Sequence, residues 1–248
     1  MADVFDAYSR YYDLLYRDKD YVSEADYIAR LLKAYGSGRE LLEFGSGTGR
    51  HGRLFAERGY RVLGIERSPE MIAASTETEG FSCRQGDVCT LDLGYRFDAV
   101  LALFHVVCYQ TSNSAVCALF DRAALHLKQG GIFIFDVWYS PAVYSQKPAV
   151  RVKRISDATT EITRIAEPYP RPNENVVDVN YLVFVEDVKS GGVQKVDETH
   201  PMRHFSLPEL DLIAEHSGFE RVAAEEFLTG QKPGENTWGV CIVMKKVR

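Results

Sequence analysis

ELLEFGSGTGR, residues 40–50, runs from an apolar stretch into three glycines set two apart, Gly45, Gly47 and Gly49. The stretch reads as a strand over 40–45, and Gly47 to Arg58 reads as a helix. Glycines at such a junction let the backbone approach a ligand closely, and the helix end behind them offers free N–H groups.

The same alternation continues on the C-terminal side. RVLGIE (61–66) is a second strand. Ser68 then caps a helix that has Pro69 at its first position, with Gly80 predicted as its stop. FSCRQGD (81–87), FDAVLALF (97–104) and GIFIFDVW (131–138) are strands three to five, with a helix from Ser112 to Leu127 before the last. Strands apolar throughout, alternating with helices, predict a parallel sheet covered on both faces. After Pro141 the pattern changes to polar–apolar alternation in RVKRISDATTEITRIAE (151–167), NVVDVNYLVFVEDV (175–188) and GGVQKVDETHPMRHFS (191–206). This is antiparallel sheet with one wet face. SLPE (206–209) has capping-box spacing and opens a helix to His216, and FERVAAEEFL (219–228) and TWGVCIVMKK (237–246) are two further strands. The fold class is α/β, a Rossmann-like mixed sheet interrupted by an inserted antiparallel subdomain.

The 248 residues carry a formal charge of −6 and are 46% hydrophobic, enough for a full core and unlike a non-specific nucleic-acid binder. No nucleic-acid partner is expected. MADVFDAYSR has no apolar signal core, and AVLALFHVVCY (99–109) is too short to span a bilayer, so no membrane partner is expected either. The five cysteines form no C-x-x-C, which suits thiols in a reducing cytoplasm. His200 and His204 form an H-x-x-x-H without a third ligand at zinc spacing, so no metal is expected.

The glycine loop departs from two phosphate-binding patterns. Arg50 stands where G-x-G-x-x-G needs a small residue, and no G-x-x-x-x-G-K-[ST] is present. Glu43, two residues before Gly45, would repel a pyrophosphate and attract an ammonium or sulfonium group. Glu66, 21 residues after Gly45, ends the second strand where a carboxylate takes both hydroxyls of a ribose. Asp87 ends the third strand, placed to accept from an adenine amino group. Singly, Glu43 also reads as a surface carboxylate, and Glu66 and Asp87 as strand-end caps. Jointly they describe a ligand with an adenine, a free ribose and a cationic tail, which S-adenosylmethionine satisfies.

Here the chain resembles the class I S-adenosylmethionine-dependent methyltransferases: ELLEFGSGTG is similar to their first motif, VLGIERSPEMI to their second and QGDV to their third. The resemblance implies a seven-stranded sheet of order 3-2-1-4-5-7-6, S-adenosylhomocysteine as product, and a cofactor site that includes Gly45, Ser46, Gly47, Arg67 and Val88. It implies also that Met71 packs on the adenine and that Leu103 and Phe104 line the cofactor slot. YDLLYRDKDY, DVWYSP and ETHPMRHFSLPEL extend the resemblance to the bacterial small-molecule methyltransferases typified by the TDP-amino-sugar N,N-dimethyltransferases. That subgroup also inserts antiparallel strands after the fifth core strand. It implies methyl transfer to N or O of a small polar acceptor, such as a nucleotide-linked amino sugar. Another small metabolite, or S-adenosylmethionine binding without catalysis, stands as the alternative.

Around the acceptor the chain departs from that subgroup. His105-Val-Val-Cys-Tyr109 replaces a Ser-Ser-Ile-Gly-His-type stretch, and Trp138 and Tyr139 replace tandem tryptophans. The Asn/Asp-Pro-Pro-Tyr/Phe of many nucleic-acid and protein amide methyltransferases is missing. His105 reads as a base, an acceptor-binding donor or a loop histidine; Tyr109 as a hydrogen-bonding partner of the acceptor. Asp136 suits an amine or a sugar hydroxyl, and Trp138 is a stacking wall or a packing residue. Arg151, Arg154, Arg164 and Arg171 suit a diphosphate or a charged strand edge.

In YSRYYDLLYRDKDY (8–21), Tyr8, Tyr12 and Tyr16 share one helix face. Tyr8 and Tyr16 read as packing, whereas the resemblance brings Tyr12 and Tyr21 to the cofactor and acceptor, with Tyr12 beside His105 and Tyr109 among the catalytic candidates. The expected organisation is a helical lid (1–36), a cofactor-binding core (37–140), an inserted sheet (141–205) that doubles as a surface for a homodimer, and a closing helix with two core strands (206–248).

Overall fold

A computed structural model of the chain describes residues 9–248. It begins with α1 (Ser9–Leu15) and α2 (Tyr21–Tyr35), and Asp20 caps the second by accepting from the Ser23 N–H at 2.9 Å. The core alternates as the sequence predicts: β1 (Glu40–Phe44), α3 (Arg50–Glu57), β2 (Arg61–Glu66), α4 (Pro69–Ala74), β3 (Phe81–Gln85), β4 (Phe97–Ala102), α5 (Asn113–Leu125) and β5 (Leu127–Trp138). These five strands are parallel. After α6 (Ser140–Gln146), a helix with no counterpart in the sequence reading, come four antiparallel strands in chain order: β6 (Arg151–Ser156), β7 (Thr160–Arg171), β8 (Val176–Asp187) and β9 (Val193–Arg203). Then α7 (Leu207–His216), β10 (Phe219–Glu226) and β11 (Gly239–Lys246) return to the first sheet, where β11 lies antiparallel between β5 and β10. The order β3-β2-β1-β4-β5-β11-β10 is the expected one.

The central strands bury both faces, as their unbroken apolar composition requires. Phe44, Phe120, Phe133 and Phe135 fill one side of the sheet. Ile28 and Leu31 of α2 pack with Leu41, Phe55 and Leu101 on the other. Each such side chain contributes roughly 1.5–3 kcal/mol on burial. So α2 belongs to the packing of the sheet, while α1 covers different ground: Leu15, fully buried, sits among Ile162, Val183, Val185 and Val196 of the inserted sheet.

Several boundaries differ from the sequence reading, each for a local reason. The helix after the glycine loop starts at Arg50 and not Gly47, because Gly45, Gly47 and Gly49 take φ of 65°, 55° and 76°, outside the right-handed helical region. RVKRISDATTEITRIAE is two strands, divided where Asp157 Oδ1 accepts from the Thr159 and Thr160 N–H groups at 2.8 and 2.9 Å. α4 ends at Ala74, and Gly80 instead lies within the turn closed by the Thr78–Phe81 bridge, where it leads the chain into β3. β4 ends at Ala102 because Phe104 and His105 both take positive φ, 61° and 66°. Tyr8 lies outside the described residues.

One close approach is already visible in the packing of α3. A Cβ on Gly52 would meet the Phe81 ring at 2.3 Å and Glu43 Oε2 at 2.9 Å. Gly52→Ala is therefore expected to destabilise the fold by about 1–3 kcal/mol, read as a lowered urea midpoint at unchanged m-value.

Candidate active site

A cavity of about 960 Å³ opens at the C-terminal ends of the parallel strands, beneath α1 and one side of the inserted sheet. Among the described residues no helix is long and apolar enough to cross a membrane, and no group of three His, Cys, Asp or Glu is placed to hold a metal ion. The first wall of the cavity is the glycine loop, Gly45 to Thr48. A Cβ on Gly47 would meet nothing within 4 Å, so this backbone is open to a ligand. Glu66, at the end of β2, ties the loop down: Oε2 accepts from the Gly47 N–H at 2.9 Å, and Oε1 from the Arg67 and Ser68 N–H groups at 2.8 and 2.9 Å. Met71 is held at the wall by α4, whose cap Ser68 accepts from the Met71 N–H at 3.2 Å. Asp87 and Val88 follow, with Asp87 Oδ1 accepting from the Cys89 N–H at 2.8 Å. Leu103 and Phe104 complete this half.

Glu43 does not line the cavity. It lies behind the loop, 2% exposed, with Oε2 lacking a hydrogen-bond partner and Oε1 4.0 Å from His51 Nδ1. Burial, reinforced by Glu66, pushes its carboxyl up to about 8. Burial thus favours the protonated acid over the fixed negative charge that the sequence suggested. His51 Nε2 in turn meets Glu24 Oε2 at 2.8 Å, and Lys19 pairs with the same carboxylate.

The other half of the cavity faces the inserted sheet. His105 precedes and Tyr109 ends a short 3₁₀ turn, Val106–Tyr109, and both line the cavity, as does Trp138 at the end of β5. Asp136 does not: it is 2% exposed and sits behind His105, with Oδ2 2.6 Å from His105 Nδ1 and both oxygens accepting from the His105 backbone N–H. Burial raises the Asp136 carboxyl, but His105 outweighs it and leaves the group below its usual range. The sequence paired Asp136 with the acceptor; the structure pairs it with the histidine.

Tyr12 and Tyr21 reach the cavity together, and so does Tyr16, read from the sequence as packing. Tyr16 lies 4.7 Å from Tyr12 and edge-on to Phe104 at 5.1 Å. Burial, with Tyr21, Tyr16 and Tyr109 nearby, holds the Tyr12 phenol well above its usual range, and burial pushes Tyr21 up to about 12. Both are neutral phenols at pH 7, suited to hydrogen bonding and not to service as a base. Asp13 fastens the covering segment to the loop, accepting from Thr48 Oγ1 at 3.0 Å and from Arg50 Nε at 3.1 Å.

Of the four insert arginines, Arg164 alone lines the cavity, its guanidinium 5.8 Å from the Tyr16 ring and 5.2 Å from the Tyr181 ring. Arg151 and Arg154 are exposed, and Arg171 pairs with Glu174 and Asp178. Tyr181, Pro201 and Met202 also line this half and were missed. Strand alternation marked which residues share a face, but not which part of that face meets the core.

Residues 41–131 match the family model of a methyltransferase domain. The chain is 26% identical to the dTDP-3-amino-3,6-dideoxy-alpha-D-glucopyranose N,N-dimethyltransferase of Streptomyces fradiae, with 94% of this chain and 90% of that protein covered. It is 29% identical to the dTDP-3-amino-3,4,6-trideoxy-alpha-D-glucopyranose N,N-dimethyltransferase of Streptomyces venezuelae, covering 79% and 78%. Its fold matches that of S-adenosylmethionine-bound CalS10, an amino pentose methyltransferase from Micromonospora echinaspora, at a TM-score of 0.76 and 24% identity, over 99% of both chains. The chain carries a methyltransferase domain, and the proteins it is similar to mark it as an S-adenosylmethionine-dependent methyltransferase.

The raised Glu43 carboxyl has a consequence for stability. Its folded pKa of about 8 exceeds the ordinary 4.5, so the folded state binds the extra proton between those values and stability falls as pH rises through that window. Buried His51, whose pKa burial lowers despite Glu24, acts in the opposite sense, so the informative quantity is the difference between proteins. Thermal unfolding at pH 5, 6.5 and 8 should show Glu43→Gln losing less stability than the wild type over this range.

Proposed function

We propose that this methyltransferase transfers a methyl group to the amino nitrogen of a small nucleotide-linked sugar. The observation that carries the reading is a single cavity with two unlike halves: strand-end carboxylates beside a glycine loop, and an aromatic wall with one guanidinium, Arg164, facing them. Open space at Gly47 suits a ligand whose amino-acid end lies over the loop. When bound, S-adenosylmethionine supplies a methyl group on a sulfonium, a leaving group that needs no protonation.

In this reading Glu66 takes the ribose hydroxyls and Asp87 accepts from the adenine amino group. Met71 packs on the base; Leu103 and Phe104 flank the slot. Gly45, Ser46 and Gly47 receive the amino-acid end, and Arg67 and Val88 frame the nucleoside. Tyr12, Tyr16 and Tyr21 exclude water. The acceptor lies between His105, Tyr109 and Trp138. An attacking amine must be neutral. With Nδ1 engaged by Asp136, His105 has Nε2 left to take the acceptor's proton. Arg164 meets a phosphate of the nucleotide carrier.

The same reading places the enzyme in the cytoplasm, which the five unpaired thiols support, and gives it no nucleic-acid acceptor, which the acidic charge supports. Val150, Val152 and Val193, each more than half exposed on or beside the inserted sheet, suit contact with a second copy of the chain.

Two experiments test the proposal. Glu66→Ala should weaken S-adenosylmethionine binding by roughly 1–3 kcal/mol in calorimetry, and unchanged affinity would remove the ribose assignment. A panel of TDP- and GDP-linked amino and neutral sugars, assayed with labelled S-adenosylmethionine, should show turnover of the amino sugars. Turnover of a free phenol or carboxylic acid, with none of the sugars, overturns the acceptor.

A further inference from the structure

His200 and His204 do not converge on a common ligand. His204 Nδ1 meets Ser140 Oγ at 2.8 Å, while His200, 1% exposed on β9, connects to the wall of the cavity. Its Nδ1 lies 3.1 Å from the Tyr109 hydroxyl and its Nε2 lies 3.3 Å from Glu198 Oε2. The Tyr181 ring stands edge-on to the imidazole at 4.7 Å. Tyr109 belongs to the 3₁₀ turn after β4, and His200 and Glu198 to a strand about ninety residues further on, so the insertion reaches back to hold a residue of the core.

This line of groups has a direction. A carboxylate only accepts hydrogen bonds, so the ring nitrogen that faces Glu198 carries the proton. In the neutral imidazole Nδ1 is then an acceptor, and the Tyr109 O–H donates to it. A phenol has one proton. With that proton directed to His200, the Tyr109 oxygen keeps its lone pairs for accepting hydrogen bonds.

We propose that His200, oriented by Glu198, is a positioning residue that makes Tyr109 a hydrogen-bond acceptor toward the methyl acceptor, so that the site selects a group bearing an N–H or O–H. The proposal rests on the methyl-transfer reading of the cavity. An amine that donates its N–H to Tyr109 keeps its lone pair free to be turned toward the methyl group, which orients the nucleophile. A site built to bond such a proton discriminates strongly against an analogue that lacks it. Primary and secondary amines therefore fit. A neutral dimethylated amine has no N–H left, and methylation stops there.

Two readouts test the arrangement. Nitrogen and carbon NMR of histidine-labelled protein, with His200 assigned by loss of its signals in His200→Asn, should show the Nε2–H tautomer; an Nδ1–H tautomer overturns the proposal whether or not an acceptor is known. With dTDP-3-amino-3,6-dideoxyglucose as the probe, Tyr109→Phe and His200→Ala should each lower kcat about tenfold, the loss of one buried hydrogen bond, with KM for S-adenosylmethionine unchanged. The double variant should be no slower than either single one, and His200→Asn, whose amide oxygen can replace Nδ1 as acceptor, should recover part of the rate. Losses that multiply in the double variant, or full activity of His200→Ala, overturn it. Circular dichroism and S-adenosylhomocysteine affinity should match the wild type in every variant; if His200→Ala does not fold, His200→Asn and the tautomer decide. An inactive wild type with the Nε2–H tautomer counts against the sugar acceptor and supports the positioning.

Discussion

A buried carboxylate behind a bent strand end organises this molecule. Asp136 sits on β5 with almost no exposure and meets His105 twice, at the ring Nδ1 and at the backbone N–H. An isolated carboxylate there would be costly, so the pair satisfies a need of the core before it serves chemistry. The same contact holds His105 and its neighbour Phe104 in left-handed backbone, which costs non-glycine residues of order 1–3 kcal/mol each. That bend ends β4, starts the 3₁₀ turn, and presents Phe104, His105 and Tyr109 to one cavity.

The other side of the cavity is made by a similar device with cheaper residues. Three glycines take the left-handed backbone at the end of β1, and Glu66 ties Gly47 to the end of β2. The two bends leave a gap between neighbouring parallel strands, where an open α/β sheet receives its ligands. Their electrostatics differ. Burial favours the protonated form of Glu43 behind the glycine loop, whereas its partner favours the charged form of Asp136 behind His105. Two buried acids therefore underlie the two halves of one site, with their pKa values pushed in opposite directions.

The inserted sheet walls one side of this gap and makes it a cavity. Its apolar face receives Leu15 of α1. Its strands then contribute Arg164, Tyr181, Pro201 and Met202 to the wall and His200 behind Tyr109. Covering helix and insert thus depend on each other for burial, and this side of the cavity exists because both are present.

The sequence by itself determined the order of elements, the glycine loop, and the carboxylates that end β2 and follow β3. All three are local: a backbone conformation, a strand period and a spacing along the chain express them directly. It also marked His105, Tyr109 and Trp138 as candidates, since they follow the ends of β4 and β5. What it left open depends on contacts between distant segments. The solitary appearance of Glu43 concealed full burial. Asp136 looked like an acceptor ligand because its partner lies thirty-one residues away in the chain. Tyr16 shared a periodicity with packing residues, and His200 looked like chance, because neither pattern states what the insertion folds against. Only the tertiary structure decided those placements, because burial and hydrogen-bond partners are properties of neighbours, and these neighbours are brought together by packing and not by sequence.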